Sequence, residues 1–443
     1  MSSPDAIRSW YEAAFTRFEK GLNGGAASPL HRARQRGFAA FAAHGFPTTA
    51  EEEWRFTSVA AIAATQFVPV VSGAGAAPVD IRPWAIAGGI QLVFVNGRFA
   101  PALSTMGQLP RGVQVGSLAD AFSTDPSLEI REFSGESVGA RDAFASLNTA
   151  FLTDGAYIAV ARGVTLEQTV HILSLAAPGR DPLLVIPRHL IVAGEGARLN
   201  VLETYAGLGA GGFLTDAVTE IRVGSGAVVE HDTLQVEGPA AYHVGTTHVT
   251  LGAGSSFTSN AITLGGALVR NNVSALFTGE EAECTLNGLS LGTGTQHIDN
   301  HTVIDHAVPR CRSHELYKAV LDGSARGVFN GKIFVRQDAQ KTDAKQTNRT
   351  LLLSDEATID TKPQLEIFAD DVKCTHGAAV GQLDEEQVFY LRSRGIGEAE
   401  ARDLLTFAFA TDVINRVHAG ALRDRLDTLL HARLRQGRVN AES

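Results

Sequence analysis

The residues with the clearest chemical potential form the tripeptide Cys374-Thr375-His376. Alternate residues of a β-strand point to the same face, so a strand here would place a thiolate and an imidazole side by side. Both groups are ligands for soft transition metals. An iron–sulfur or tetrahedral site needs about four ligands, so a second chain would have to supply the others. The spacing alone also fits a buried cysteine and a hydrogen-bonded histidine near a coil end.

A second polar cluster lies about 70 residues earlier in the sequence. In an extended chain, His297, Asp299 and His301 alternate along one face, as a divalent-metal set would. The further members of the cluster are Asp305, His306 and Cys311. Nothing in the spacing imposes a coordination geometry. The sequence therefore favours a polar ladder along a coil, or a dimer surface rich in hydrogen bonds, over a metal site.

Two glycine-rich stretches resemble nucleotide loops but lack their defining features. The stretch 327–333 has three residues between its glycines, and Ile333 stands where a phosphate-binding loop needs Ser or Thr. The stretch 207–212 satisfies the pattern GxGxxG, but it leads into a strand-like run and not a helix. The chain also lacks the HExxH motif of zinc hydrolases. Any energy input is therefore expected from a separate ATPase.

Composition limits the function classes. The 443 residues carry a net charge of -10, which argues against nucleic acid or an anionic membrane as the main partner. Three cysteines without CxxC spacing fit a reducing, cytoplasmic setting with no disulfide framework. No apolar run reaches the ~18 residues of a membrane span. The first residues lack the basic and apolar regions of a secretory signal.

Periodicity divides the chain into three parts. Residues 1–80 show helical apolar stripes, with a third helix expected to begin at Glu51-Glu52-Glu53 and a linker at 72–78. Residues 85–381 read as short strands, with an Asn96-Gly97 hairpin turn near their start and helical hints between 101 and 150. Residues 384–443 return to helical periodicity, and we expect their three helices to pack on the β body or on another subunit.

A recurring turn indicates how the strands are arranged. Its leading glycines are Gly194, Gly224, Gly252 and Gly279, at intervals of 30, 28 and 27 residues. The stretch 352–357 reads as a divergent later copy. Strands repeating at this period without intervening helices predict a mostly β solenoid, a parallel β-helix. An antiparallel sandwich is the alternative.

The polar C-terminal third resembles one family closely. The stretch 313–378, which includes KCTHGA, and the stretch GQLDEEQVFYLRSRGI at 381–396 are similar to the SufB/SufD family of iron–sulfur cluster assembly scaffolds. The segment EEEWRFTSV at 51–59 and the overall length resemble the SufD branch. This resemblance implies a right-handed parallel β-helix flanked by N- and C-terminal helical domains. It also implies a non-catalytic scaffold subunit.

The resemblance also implies partners and site residues. His376 matches a histidine that faces a SufB cysteine and helps to hold a transient iron–sulfur cluster shared with that partner, and Cys374 matches the neighbouring cysteine. No cofactor is expected to stay on the isolated chain, which could homodimerise. A SufC ATPase would dock on the C-terminal helices, where we assign Tyr390, Leu391 and Arg394 to the docking surface.

Two other interpretations remain at the level of sequence. The first is SufB itself, although SufB-like chains are longer and usually carry extra N-terminal cysteines, whereas the first cysteine here is Cys284. The second is a β-helix carbohydrate-active enzyme that uses Asp299, Asp305 or Asp355 as general acid or base. Such enzymes line a groove with aromatic residues, which are only 7% of this chain and mostly Phe.

Overall fold

A computed structural model describes residues 4–22, 28–70, 79–86, 88–128, 142–418 and 420–441. The helices are α1 (Pro4–Lys20), α2 (Pro29–His44), α3 (Ala60–Ala63), α4 (Leu118–Thr124), α5 (Ala143–Ala150), α6 (Glu385–Ser393), α7 (Glu398–Ile414) and α8 (Gly420–Ala441), with 3-10 turns at Glu52–Trp54 and Pro101–Leu103. The early strands are β1 (Val68–Pro69), β2 (Ile90–Val95), β3 (Arg98–Phe99), β4 (Val113–Ser117), β5 (Ala156–Val160), β6 (Val170–Ala176), β7 (Leu183–Val185) and β8 (Arg188–Ala193).

Thirteen longer strands form the rest of the β body. They are β9 (Arg198–Gly207), β10 (Phe213–Val223), β11 (Val228–Gln235), β12 (Ala241–Leu251), β13 (Ser256–Thr263), β14 (Leu268–Phe277), β15 (Glu283–Gly292), β16 (His297–His306), β17 (Arg312–Leu321), β18 (Arg326–Val335), β19 (Asp343–Leu352), β20 (Thr358–Ile367) and β21 (Lys373–Gly381). From β8 onward the even-numbered strands lie in one sheet and the odd-numbered strands in the other, so every coil contributes one strand to each sheet. Their pairing is parallel throughout, which confirms the β-helix and excludes the antiparallel sandwich.

The two sheets enclose a narrow core. Neighbouring strands within each sheet pair without stagger. Equivalent residues of successive coils therefore stack in columns, with about 4.8 Å between one coil and the next. The interior of the early and middle coils is filled with aliphatic and aromatic side chains, among them Ile191, Val229, Phe257 and Phe277. No coil could bury these residues alone, and stacking stabilises each large side chain by about 1.5–3 kcal/mol.

The predicted turn repeat marks one corner of the solenoid. Gly194, Gly224, Gly252 and Gly279 each follow a strand of the even-numbered sheet and lead into the odd-numbered one. A Cβ at Gly279 would lie 2.1 Å from the backbone nitrogen of Ala253, so the stacked turns leave no room for a side chain there. The assignment of 352–357 to this repeat was wrong, because that turn joins β19 to β20 at the opposite corner. After Gly279, the turns at 307–311, 336–342 and 368–372 lie at the same corner as the repeat.

The N-terminal part is helical, but less regularly than its sequence predicts. Helices α1 and α2 form as expected, and Ser28 caps α2 by accepting a hydrogen bond from the His31 amide at 3.0 Å. The third helix expected from Glu51 is only a 3-10 turn. Trp54 contacts Arg270 and Thr57 contacts Asp299, and these contacts hold the segment against the β body in place of a longer helix. The linker predicted at 72–78 lies outside the described residues.

Two local predictions near the start of the β body are confirmed. Asn96 and Gly97 have φ values of 54° and 76°, the left-handed conformation of a two-residue hairpin turn between β2 and β3. The helical hints between 101 and 150 correspond to α4 and α5. Helix α5 packs between α2 and the outer face of β10, where its Asn148 donates a hydrogen bond to the Asp216 carbonyl at 2.7 Å.

The C-terminal helices pack on the outer face of the odd-numbered sheet. Their apolar stripes, including Val413, Ile414 and Leu426, share one cluster with Leu291 and Val320 of that sheet. Lys318 of β17 ties α7 to the sheet, since its ammonium donates to the Phe409 carbonyl at 3.0 Å and pairs with Asp412 at 2.8 Å. Packing on the β body is thus confirmed. None of the described helices is long and apolar enough to cross a membrane.

Candidate functional site

The open end of the solenoid, formed by β20 and β21, is the most exposed part of the β body. Each of these strands lies at the end of its sheet, with a strand neighbour on one side only among the described residues. Along β21 only Cys374 is partly buried, and the other residues are exposed. A strand in this position presents a row of backbone N–H and C=O groups to any chain that can pair with it.

The structure brings Cys374 and His376 to the inward face of β21. The thiol of Cys374 packs against the last interior cluster, which includes Ile333 and Ala344, and this burial raises the pKa of Cys374. His376 occupies the next position on the same face and is exposed. The described residues contain no group of three or more potential metal ligands. Cys374 and His376 thus have no third potential ligand beside them among those residues.

Exposed apolar side chains lie on or next to the same two terminal strands. Phe368 is 59% and Val380 48% exposed, and Ile367 is also exposed at the end of β20. The Phe368 ring contacts that of Phe334, with centroids 5.3 Å apart. Sequence reasoning missed this apolar rim. The available signal was that Phe368 and Val380 sit in or next to the last two strand-like runs, where no further coil follows to cover them.

A column of polar side chains runs inward from His376. In the register of the odd-numbered sheet, Glu315, Gln346 and His376 occupy successive positions of one column. The Gln346 amide donates a hydrogen bond through Nε2 to Oε2 of Glu315 at 2.5 Å. Both residues are buried, and burial raises the pKa of Glu315 to about 7 despite that hydrogen bond.

The remaining cysteines lie inside the solenoid. Cys284 belongs to the column that continues through Ser313 and Ala344 to Cys374, three coils away. Cys284 is fully buried, and burial raises its pKa far above the ordinary value, so its sulfur stays protonated. Cys311 is buried at a corner, with Sγ 3.4 Å from the Gly279 carbonyl oxygen. Neither thiol joins Cys374 and His376.

The second polar cluster of the sequence forms a hydrogen-bonded node with the N-terminal segment. Residues His297, Asp299 and His301 alternate along the outer face of β16, as expected, but there they meet the segment 53–57. The Thr57 hydroxyl donates to Asp299 at 2.6 Å and lies 2.8 Å from His297 Nε2. This arrangement matches the ladder that the sequence favoured, with its hydrogen bonds made within the chain.

Charges within this node set its protonation. Burial would raise the pKa of Asp299, but Arg270 at 2.9 Å and His301 at 3.0 Å outweigh it and lower that pKa to about 2. Burial would likewise lower the pKa of His301, yet Asp299 and Glu53 raise it. The node is thus a buried arginine–aspartate–histidine network under the N-terminal segment.

The other members of the predicted cluster are also occupied. His306 points into the core, stacks on Phe277 with centroids 4.5 Å apart and contacts Ser313 Oγ at 2.9 Å. Its burial lowers the pKa of His306 to about 4. Asp305 receives two hydrogen bonds from the Arg336 guanidinium at 3.0 and 2.7 Å. With Asp299 paired and Asp355 in an exposed turn, the three aspartates of the carbohydrate-enzyme alternative form no common groove.

Helix α6 presents the second exposed surface. Tyr390 is 56% exposed, and the Arg394 guanidinium lies 5.2 Å from its ring centre. Leu391 is only partly exposed, because it also packs on the C-terminal core. The most exposed large apolar residue here is Phe389 at 71%, which sequence reasoning missed because it does not fit the apolar stripe of the helix. A groove beside the helix is lined by both polar and apolar residues, including Glu386, Phe389, Tyr390, Leu391 and Leu405.

Comparisons with known proteins cover nearly the whole chain. Residues 5–172 match the model of the SufBD protein N-terminal region, and residues 176–409 match the model of the SufBD core domain of SUF-system FeS cluster assembly. An iron–sulfur cluster assembly SufBD family protein of Synechocystis is 33% identical over 86% of this chain and 86% of its own. The iron–sulfur cluster assembly protein SufD of Escherichia coli is 32% identical over 89% and 90%. The chloroplastic protein ABCI7 of Arabidopsis thaliana is 30% identical over 90% and 84%.

Proposed function

This chain belongs to the SufBD family of iron–sulfur cluster assembly proteins, and we propose that it acts as the SufD-type scaffold subunit of a complex with a SufB-like chain and a SufC-like ATPase. It performs no catalysis in this proposal. Its part is to offer an incomplete ligand set at the open end of a rigid solenoid, and the partner chain completes that set around the nascent cluster.

One observation carries the proposal: Cys374 and His376 share the inward face of a terminal strand that is paired on one side only. An iron–sulfur cluster needs about four ligands, of which cysteine thiolate is the commonest and histidine an alternative. Burial raises the pKa of Cys374 and so disfavours its thiolate, the form that binds a metal. His376 is exposed, and its neutral imidazole can bind a metal without placing a charge in the core. His376 is therefore the principal ligand in this proposal, and Cys374 the secondary one.

The open end also explains why the partner is a chain with a similar edge. Strand addition would satisfy the free backbone groups of β20 and β21, and Phe368 and Val380 would supply apolar area at the same interface. A SufB-like chain has its own β-helix in this proposal, so the two solenoids would abut end to end with the cluster between them. A second copy of this chain could use the same edge when no SufB-like chain is present.

We assign the ATPase to α6 because this helix exposes aromatic side chains and is connected through α7 to the β body. Phe389 and Tyr390 are the kind of residues that dominate protein–protein interfaces, and Arg394 lies against the tyrosine. Behind them, α7 is attached to β17 through Lys318 and Asp412. Movement imposed on the helices by an ATPase would therefore reach the β body, whose last coils hold His376.

The test is co-expression with a SufB-like chain and a SufC-like ATPase from the same organism. We expect a stable three-component complex that accumulates iron and sulfide, and a His376→Ala variant that assembles but loads several-fold less of both. A His248→Ala variant is the matched control, because His248 is a histidine of the β body remote from the open end, bonded to Ser274. Equal iron and sulfide loading in the His376 variant and the control would refute the ligand assignment. A chain that binds neither partner would refute the scaffold assignment.

A further inference from the structure

The next residue inward from His376 in its column is Gln346, a buried glutamine whose side-chain oxygen makes no hydrogen bond with the described residues. Gln346 is 2% exposed, and Oε1 of its amide has no hydrogen-bond partner among the described residues. Its Nε2 donates a hydrogen bond to Glu315 on β17, the neighbouring strand of the same sheet. The nitrogen and oxygen of an amide lie on separate arms of one planar carbon, so with Nε2 bonded to Glu315 the free acceptor Oε1 is not the atom that faces Glu315. In the sheet register, His376 is the neighbour of Gln346 on the side opposite Glu315.

The packing around Gln346 holds this orientation. Gly331 lies opposite, and a Cβ there would approach Gln346 Nε2 to 2.3 Å, so the amide fills space that only glycine leaves open. Glu315 is buried at the other end of the hydrogen bond, and burial raises its pKa to about 7. At pH 8 it is therefore mainly a carboxylate, which accepts but does not donate. An amide flip would place two oxygens against each other. The acceptor that faces the His376 position is therefore set by Glu315.

We propose that Gln346, oriented by Glu315, is a positioning residue that accepts a hydrogen bond from the inward ring nitrogen of His376 and so leaves the outward nitrogen unprotonated as the ligand atom. Metal-binding histidines generally donate their second ring N–H to an oxygen, which fixes both the tautomer and the ring orientation. Strands of one sheet lie about 4.8 Å apart, a distance that an imidazole and a glutamine side chain of the same column can span. This proposal rests on the proposed function, because it explains how His376 is prepared for the cluster.

The experiment measures the His376 tautomer directly in the full chain at pH 8, by side-chain ¹⁵N NMR of histidine-labelled protein. The His376 signal is identified by its absence from His376→Ala. We expect one tautomer to dominate in the natural protein. In Gln346→Leu the ratio of tautomers should shift about fivefold, the effect of losing one ordinary hydrogen bond.

Asn348→Leu is the matched control. Asn348 is also a buried amide of β19, but its neighbour in the column is Ala378, which has no hydrogen-bonding side chain. We expect the His376 signal of this variant to match that of the natural protein. A second test variant, Glu315→Gln, replaces the acceptor-only carboxylate by an amide of similar volume that can also donate. It no longer fixes the orientation of the Gln346 amide, so it should shift the tautomer ratio in the same direction as Gln346→Leu even if the latter is poorly folded.

An unchanged His376 signal in both Gln346→Leu and Glu315→Gln would overturn the positioning role, and so would an equal change in Asn348→Leu. Iron and sulfide loading of the three-component complex separates this result from the proposed function. A tautomer shift together with normal loading of His376→Ala would support the role of Gln346 and refute His376 as a cluster ligand. A loading defect in His376→Ala without any tautomer shift would refute the role of Gln346 alone.

Discussion

The guanidinium carbon of Arg270 lies 3.7 Å from the centre of the Trp54 ring. This contact joins a strand in the middle of the solenoid to the N-terminal segment, and the same guanidinium donates to the Glu53 carbonyl at 2.7 Å and to the buried Asp299 carboxylate at 2.9 Å. One side chain therefore combines a cation–π contact, a hydrogen bond and an ion pair across the two parts of the chain.

We expect Arg270→Ala to lower the free energy of unfolding by about 3–5 kcal/mol, because it leaves the carboxylate of Asp299 buried without its main partner. Denaturant titration followed by tryptophan fluorescence would measure this, since Trp54 reports on the contact itself. Arg326→Ala is the control: Arg326 pairs with Asp360 at the surface, where such a loss costs about 1 kcal/mol or less. Equal losses in the two variants would contradict the role of the node.

The same node predicts a pH dependence. His301 has a raised pKa in the folded protein, so its contribution to stability is fully present below its ordinary value of 6.5 and is lost as the pH rises through the folded value. Asp299 has a lowered pKa, so its contribution is present above 3.8 and is lost as the pH falls toward about 2. We expect the difference in melting temperature between the natural protein and His301→Gln to shrink as the pH rises above 6.5. A constant difference from pH 5 to 8 would show that the charge of His301 does not contribute.

At the open end, we expect Phe368→Asp to weaken binding of the SufB-like chain at least tenfold, because it places a charge in the apolar rim of the proposed interface. Light scattering or quantitative co-purification of the complex would measure this. Val303→Asp provides the control, since Val303 is 40% exposed on the outer face of β16, away from the open end. If both variants bind equally well, the partner does not use this end of the solenoid.

On the C-terminal helices, we expect Phe389→Asp to reduce binding of the SufC-like ATPase at least tenfold while the SufB-like chain still binds. The side chain is largely exposed in this structure, so its replacement should leave the fold intact. Met106→Asp serves for comparison, because Met106 is an exposed apolar residue in a loop remote from α6. Retention of the ATPase by Phe389→Asp would move the docking surface elsewhere, and loss of both partners would indicate a folding defect instead.

Local patterns predicted the repeating parts of this fold well. The spaced glycines indicated stacked coils because each turn must pack closely against the turn before it, as Gly279 does against Ala253. The Asn96-Gly97 pair indicated a hairpin because few residues adopt its backbone conformation. The same reasoning misplaced the turn at 352–357, since the two corners of a coil use similar residues and only the strand pairing distinguishes them.

The contacts that define the node and the site depend on distant parts of the chain. Thr57 reaches Asp299 across 242 residues, and no local periodicity carries that information. The third helix expected at Glu51 failed for the same reason, because contacts with β14 and β16 outweigh the helical preference of a short segment. Phe389 gives a further example. Its position outside the apolar stripe of α6 does not tell whether another element covers it, and the structure shows that it is exposed.

The amino-acid sequence by itself determined the coil period, the shared face of Cys374 and His376, and the three C-terminal helices, because each follows from backbone geometry over a few residues. Only the tertiary structure decided that β21 ends its sheet, that His301 serves an internal network, and that Gln346 lies between His376 and Glu315. The physical reason is that stacking places residues some 30 positions apart in contact, and which of them meet depends on the register of whole coils.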